Sequence, residues 1–191
     1  MPERKKILLT TSRRPTSRMR SFCHDFASCL PDIVRINRGK LNLDGIAEKA
    51  LEINADRIII VDRWKGGPGK IQLFLIKETR LTPVPPLIYI GGIKLRREFE
   101  TKTKPVMSFV LTTPPEGSYH SKRIAEFLAR FFNIPVLSVE QAVSGYSASM
   151  HISTDSSNRT RITFMFLPEF TEIGPRISVA KVTYIDMVKN E

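Results

Sequence analysis

Four arginines, Arg13, Arg14, Arg18 and Arg20, fall within eight residues and are interleaved with the hydroxyls of Thr10, Thr11, Ser12, Thr16 and Ser17. Guanidinium groups present planar, paired donors that match phosphate oxygens, and they keep their charge at any physiological pH. The apolar run Ile7, Leu8, Leu9 precedes this stretch, and Pro15 stands where a helix can begin. If Pro15 or Thr16 opens a helix, its free backbone N–H groups point at the same place and favour an anion. The chemistry written here is phosphate binding.

Other constellations point away from catalysis. Gly66-Gly67-Pro68-Gly69-Lys70 is glycine-rich and ends in lysine. A nucleotide-binding loop needs Gly, four residues, then Gly-Lys-Ser/Thr; here Trp64 and Ile71 occupy the decisive positions. A tight strand-to-strand turn is the expectation instead. His24, His120 and His151 are scattered, without metal-ligand spacing to a carboxylate or to one another. Ser118 before His120 and Ser121 fits a helix cap rather than a nucleophile pair, and no Gly-x-Ser-x-Gly elbow is present. Cys23 and Cys29, six apart, make neither a disulfide framework nor a zinc site. Both are expected on the buried side of one helix. No cofactor, no metal and no enzyme activity is expected.

Charge narrows the partner. The 191 residues carry a net charge of +11, with 41% apolar residues, enough for a globular core. Residues 1–40 hold ten Lys/Arg against three Asp/Glu, and residues 62–104 hold ten against four; residues 105–191 are balanced at eight and eight. Charge kept only for solubility need not gather in two blocks. Its concentration in the first half suggests an anionic partner, nucleic acid before membrane. No apolar run approaches the ~20 residues of a membrane helix. The charged N-terminus lacks a signal-type apolar stretch, so a soluble intracellular protein is expected.

The elements that position these residues follow from periodicity. Residues 6–10 read as a strand. Residues 16–30 read as a helix whose apolar positions Met19, Phe22, Cys23, Phe26, Cys29 and Leu30 recur at three and four. A strand over 33–36, a turn over 37–40 with Gly39 at positive φ, a helix over 43–55 and a buried strand over 57–62 come next. Strands over 71–76 and 87–91 flank Pro83, Pro85 and Pro86, which predict a break. Residues 94–104 fit a strand end, a short helix or a linker. The second half predicts a strand over 105–113, a helix over 119–132, a short strand over 135–139, a weak helix over 139–147, strands over 150–154 and 161–167 joined by a hairpin loop, a turn over 172–176 and a last strand over 177–185. The class is α/β with sheets of mixed direction. Leu111-Thr112-Thr113 repeats Leu9-Thr10-Thr11 at an offset of 102, which also pairs Phe22 with Ile124, Phe26 with Leu128 and Leu30 with Phe132. This predicts an internal duplication, with halves at about 1–104 and 105–191, in which the second loop has lost the arginines of the first.

No stacking signature of an RNA-recognition motif and no KH clamp is present. Trp64 and Tyr89 could stack on bases, although a half-buried position is expected for each. The segment Thr11-Ser12-Arg13-Arg14-Pro15-Thr16-Ser17-Arg18, followed by Phe22, resembles the opening motif of the Brix-domain family of ribosome-assembly proteins. Ile36-Asn37-Arg38-Gly39 resembles that family's Asn-Arg-Gly motif. Lys65-Gly66-Gly67-Pro68-Gly69-Lys70-Ile71 resembles its hairpin motif, with lysines in place of an Arg and a Gly, and Gly174-Pro175-Arg176 its C-terminal motif. The four run in family order across nearly the whole chain. Residues 91–94 depart from the family's strand end.

The resemblance implies one domain over 1–191 built of two similar α/β halves, each similar to the anticodon-binding domain of class IIa aminoacyl-tRNA synthetases. It implies a non-enzymatic protein that binds ribosomal RNA or its precursor and acts in pre-rRNA processing and subunit assembly beside other assembly proteins. The most similar branch, that of the small-subunit processome, bridges a guide RNA and pre-rRNA. The bare domain resembles the archaeal form, which implies a cytoplasmic location. On this reading Arg13, Arg14, Arg18, Arg20, Arg38, Lys40, Lys65 and Lys70 contact phosphates; for Arg14 and Arg38 the structural alternative is pairing with a carboxylate to hold the loops. The alternative function is a protein-interaction module whose basic face docks an acidic partner.

Overall fold

The computed structural model describes residues 5–101 and 104–184. The last predicted strand therefore has one residue, Ile185, outside the described range, and Lys102 and Thr103 of the charged stretch over 94–104 lie outside it as well. The chain forms two compact units, one from residues up to 27, 32–89 and from 182 onward, the other from 28–31 and 90–181.

The first unit contains β1 (Lys6–Thr11), α1 (Ser17–Ser28), β2 (Ile33–Arg35), α2 (Leu43–Glu52), β3 (Ala55–Trp64), β4 (Gly67–Lys77) and β5 (Arg80–Lys94), the last as far as Tyr89. The strands lie in the order β2-β1-β3-β4-β5. β1 runs parallel to both β2 and β3, and β3, β4 and β5 are antiparallel neighbours. Five of the six β1 residues are buried, as suits a central strand covered on both faces. Leu8 and Ile58 are register partners and share a core with Ile60, Phe74 and, from α2, Ile46 and Ala50. α1 buries Met19, Phe22, Cys23 and Phe26, one stripe at helical spacing.

Several boundaries differ from those predicted. α2 stops at Glu52 and β3 already begins at Ala55, because Asn54 turns the chain at φ 57°. α1 ends at Ser28, so Cys29 lies beyond the helix rather than on it; its thiol is buried and donates to the Gly174 carbonyl at 2.6 Å. The prolines do not break β5. The β4–β5 register jumps between Ile71, opposite Ile88, and Leu73, opposite Val84. Pro85 and Pro86 fall inside that irregularity, where a missing N–H breaks no ladder bond.

Lys65 and Gly66, at φ 47° and 83°, make a two-residue turn between β3 and β4. Both central residues are left-handed, the conformation whose twist matches a hairpin. Opposite Trp64 the backbone of β4 comes so close that a Cβ on Gly69 would lie 2.0 Å from the Trp64 Cβ and 2.7 Å from its backbone nitrogen.

The second unit contains a 3-10 turn at Arg96–Glu98, then β6 (Phe109–Thr112), α3 (Tyr119–Phe132), β7 (Val136–Leu137), α4 (Val139–Val143), β8 (Ala148–Thr154), β9 (Thr160–Phe166), β10 (Thr171–Glu172) and β11 (Arg176–Thr183). Its order is β11-β9-β8-β6-β7, with β10 on β9. β6 is parallel to β7 and β8, and β8, β9 and β11 are antiparallel. With β10 set aside, succession and order match those of the first unit. The residues 102 beyond the four buried in α1 are Ser121, Ile124, Ala125 and Leu128, and all four are buried in α3. Ser118 caps α3, its hydroxyl accepting from the Ser121 N–H at 3.2 Å.

Gly174, at φ 63°, has no room for a side chain: a Cβ would stand 2.9 Å from the Phe99 ring. Arg176 beside it pairs with Glu172, which raises its pKa, and lies 5.3 Å over the same ring. This motif serves packing.

Two outcomes test these placements. Gly69→Ala should destabilise the fold by about 1–3 kcal/mol through backbone overcrowding, while Gly67→Ala, with nothing within 4 Å of its Cβ, should stay within about 0.5 kcal/mol; urea midpoints decide. His151, hydrogen-bonded to the Thr112 hydroxyl at 3.0 Å, has a pKa lowered by burial. The unfolded chain then binds the proton first as pH falls, so stability should drop below about pH 6.5. In His151→Gln that part of the pH dependence of the melting temperature should vanish.

Candidate nucleic-acid interface

Three parallel strands send their following segments out of one edge. The chain leaves β1 for β2 on one side and then passes back to β3 on the other. In such sheets a crevice opens outside the carboxyl ends of the strands at the reversal. The Ser12 N–H donates to the Val61 carbonyl at 2.8 Å, extending the β1–β3 pairing into the loop. On the β2 side the Ile36 N–H donates to Leu9 at 3.0 Å and the Thr10 hydroxyl donates to Ile36 at 3.0 Å. Thr16 caps α1: its hydroxyl accepts from the Met19 N–H at 3.3 Å and its carbonyl from the Arg20 N–H at 3.1 Å.

The structure sorts the predicted cations into holders and presenters. Arg20 donates to the Pro15 carbonyl at 2.9 Å and the Ser17 hydroxyl at 3.3 Å, clamping the loop onto the helix start. Arg38 is half-buried and donates to the carbonyls of Leu41 at 3.0 Å and Thr11 at 3.3 Å, tying the 36–41 segment to the end of β1. It does hold the loops, through carbonyls rather than a carboxylate. Burial lowers its pKa most, the nearby charge of Arg13 lowers it further, and Asp62 opposes both. Lys70 pairs with Asp62 at 3.4 Å, and the Gln72 amide donates to the same carboxylate.

Arg13, Arg14, Arg18, Lys40 and Lys65 are exposed. Arg14 adopts φ 55°, which turns the loop between β1 and α1. No ion pair joins Arg13, Arg14, Lys40 or Lys65 to a carboxylate among the described residues. A cleft of about 240 Å³ opens at this edge, lined by Thr10, Thr11, Pro15, Arg20, Arg35 and Arg38 among others. Lys65 stands apart from it, at the tip of the β3–β4 ribbon.

Two residues here, Arg35 and Arg63, were not among those predicted. Arg35 lines the cleft, and its charge works against the burial that pushes the Cys23 thiol up to about 12. Its signal was a lone charge closing an apolar strand. Arg63 is exposed beside the hairpin turn. Trp64, expected half-buried, is 68% exposed. It ends β3 at the turn, and sequence carries no sign of how far a ribbon projects past the elements that cover its sheet. Tyr89 is half-buried. Among the described residues no three His, Cys, Asp or Glu side chains gather to hold a metal, and no helix is long and apolar enough to cross a membrane.

The division between holders and presenters has a measurable consequence. Arg38→Ala removes two bonds from a charged donor and should cost about 1–3 kcal/mol in chemical denaturation. Arg14→Gly removes an exposed charge and relieves a left-handed backbone, so it should leave stability unchanged or raise it by up to about 1 kcal/mol. Equal losses in the two variants would mean that both arginines are scaffolding.

No family model matches the chain. It is 28% identical over 178 residues to the probable Brix domain-containing ribosomal biogenesis protein of Methanopyrus kandleri, an alignment covering 88% of this chain and 90% of that one. A protein of the same description from Pyrobaculum aerophilum is 27% identical over 187 residues, covering 94% and 96%. Among solved structures, a probable ribosomal biogenesis protein from Aeropyrum pernix superposes with a TM-score of 0.78 at 23% identity, over 93% of this chain and 97% of that one, which establishes a common fold. Over nearly its full length the chain is thus similar to several archaeal proteins of one description, the probable Brix domain-containing ribosomal biogenesis proteins, and it shares its fold with a solved protein of that kind.

Proposed function

We propose that this protein is a non-enzymatic ribosome-biogenesis factor that binds ribosomal RNA or its precursor at the carboxyl edge of its first unit. The observation that carries the reading is the edge itself: Arg13, Arg14 and Lys40 project from two adjacent loops without a carboxylate partner among the described residues, beside a cleft lined by further guanidiniums. Arg18, Lys65 and Lys70 extend the basic surface along α1 and the hairpin. Such contacts position RNA through its phosphates and carry little sequence information, so selectivity would come from RNA shape. The names of the relatives agree with a role in ribosome biogenesis.

Finer parts of the reading come from the resemblance. Each unit would correspond to an anticodon-binding domain. The protein would work in the cytoplasm beside other assembly proteins, and a guide RNA paired to pre-rRNA is the substrate its branch suggests. Bringing two RNA strands together needs their repulsion screened, which closely spaced, unpaired arginines do.

The alternative, docking of an acidic protein, uses the same charge. Competition separates them: unrelated structured RNA should displace a bound pre-rRNA fragment far better than an acidic polypeptide of equal charge. With about 5 phosphate contacts, log affinity should fall with log salt at a slope of about −3.5 to −4.5. The Arg13→Ala/Arg14→Ala double variant should reduce that slope by roughly 1 to 2 with an unchanged melting temperature. A tight, salt-insensitive complex or no complex at all would favour the protein-docking reading.

A further inference from the structure

The charged edge does not account for Trp64. At 68% exposed it stands, with Met107 and Tyr119, among the most exposed large apolar side chains of the described residues. Here it is also held in place. It closes β3 opposite Gly67, next to a two-residue turn whose central residues are both left-handed. Gly69 lies against its backbone and Cβ, at a spacing that excludes any side chain there. The indole therefore stands on a stiff ribbon whose backbone loses little ordering entropy when something covers it.

Its surroundings are cationic. Arg63 and Lys65, its chain neighbours, are exposed, and the carboxylate two residues back, Asp62, is already paired with Lys70. An exposed aromatic between two cations offers a π-face for a base and charges for the phosphates on either side of it. Base–aromatic stacking of this kind is indifferent to which base is present. In a paired A-form helix the base faces are stacked on one another and cannot be reached.

We propose that Trp64 is a stacking platform for an unpaired RNA base, so that the first unit prefers RNA with single-stranded bases over fully paired RNA. This rests on the RNA-binding reading above and adds to it the class of RNA bound.

Trp64 is the one tryptophan in the chain, so intrinsic emission reports on this position alone. The probes are an oligoribonucleotide of about 12 nucleotides, near the footprint of a single-strand-binding module, the same strand annealed to its complement, and an abasic strand of equal phosphate count. Titrating the full chain with the single strand should quench the emission. The duplex and the abasic strand should bind with little quenching. Trp64→Ala should weaken the single strand about 10-fold and leave duplex affinity and melting temperature unchanged, while Trp64→Phe should keep most of the affinity. If Arg13→Ala/Arg14→Ala abolishes binding of the single strand but its binding to the wild type brings no quenching, and Trp64→Ala binds normally, the proposal fails and the RNA-binding reading stands. If an acidic polypeptide quenches the emission and no RNA binds, both fall and Trp64 belongs to a protein contact. If neither binds, both fall as well.

Discussion

β1 is pinned on both sides, and the position of the basic edge depends on it. Its backbone pairs with β2 and β3 in parallel, and five of its six side chains are buried. A strand so enclosed can neither slide nor rotate without exposing leucine and isoleucine to water, so its end is a fixed point. The loop that follows starts from that point, with the Ser12 N–H already committed to β3. Parallel pairing also forces a crossover between each pair of strands. That requirement brings the segment after β2 back to the same edge, and Arg38 beside Arg13.

Around this fixed point the charges are arranged against their own repulsion. Arg13 is near enough to Arg38 to depress its pKa, and only Asp62 opposes them. Arg38 remains in place because its guanidinium serves two carbonyls that would otherwise lack these partners. Arg20 does the same for Pro15 and Ser17. Holding arginines are thus part of the scaffold, while the neighbours in sequence are left to solvent. A polyanion entering the edge would relieve like-charge repulsion already present in the free protein.

The second unit shows what the scaffold does without those charges. Its element succession and strand order match the first, and its helix buries the same four positions. At the corresponding edge the Lys122 ammonium donates to the Pro115 carbonyl at 2.9 Å, where Arg20 holds Pro15 in the first unit, and hydroxyls make further contacts: Thr112 with His151 at 3.0 Å, Ser118 with Thr154 at 3.1 Å. The loop reads Thr-Pro-Pro-Glu-Gly-Ser, and residues 105–191 carry no net charge. One architecture therefore supports an arginine-rich loop in one unit and a hydroxyl-rich loop without arginines in the other. The difference lies in the loops, which the sheets position.

Much of this was legible in the residues. Helical spacing placed α1 and α3, and alternating or continuous apolar runs placed β1, β3, β8 and β9, since burying one face is a local, periodic demand. The capacity of Arg13 and Arg14 to pair with phosphate belongs to the guanidinium groups themselves, wherever the chain puts them. Local pattern misled where long-range pairing intervened. Pro85 and Pro86 sit within a strand because a register shift against β4 absorbs them, while Pro83 stays in register opposite Phe74, and Cys29 finds its partner at Gly174, 145 residues away. The sequence by itself determined the elements, the repeat and the excess of charge. Only the tertiary structure decided that Arg38 holds while Arg14 presents, and that Trp64 stands in solvent, because burial and carbonyl partners are set by which strands become neighbours, a property no single stretch of chain contains.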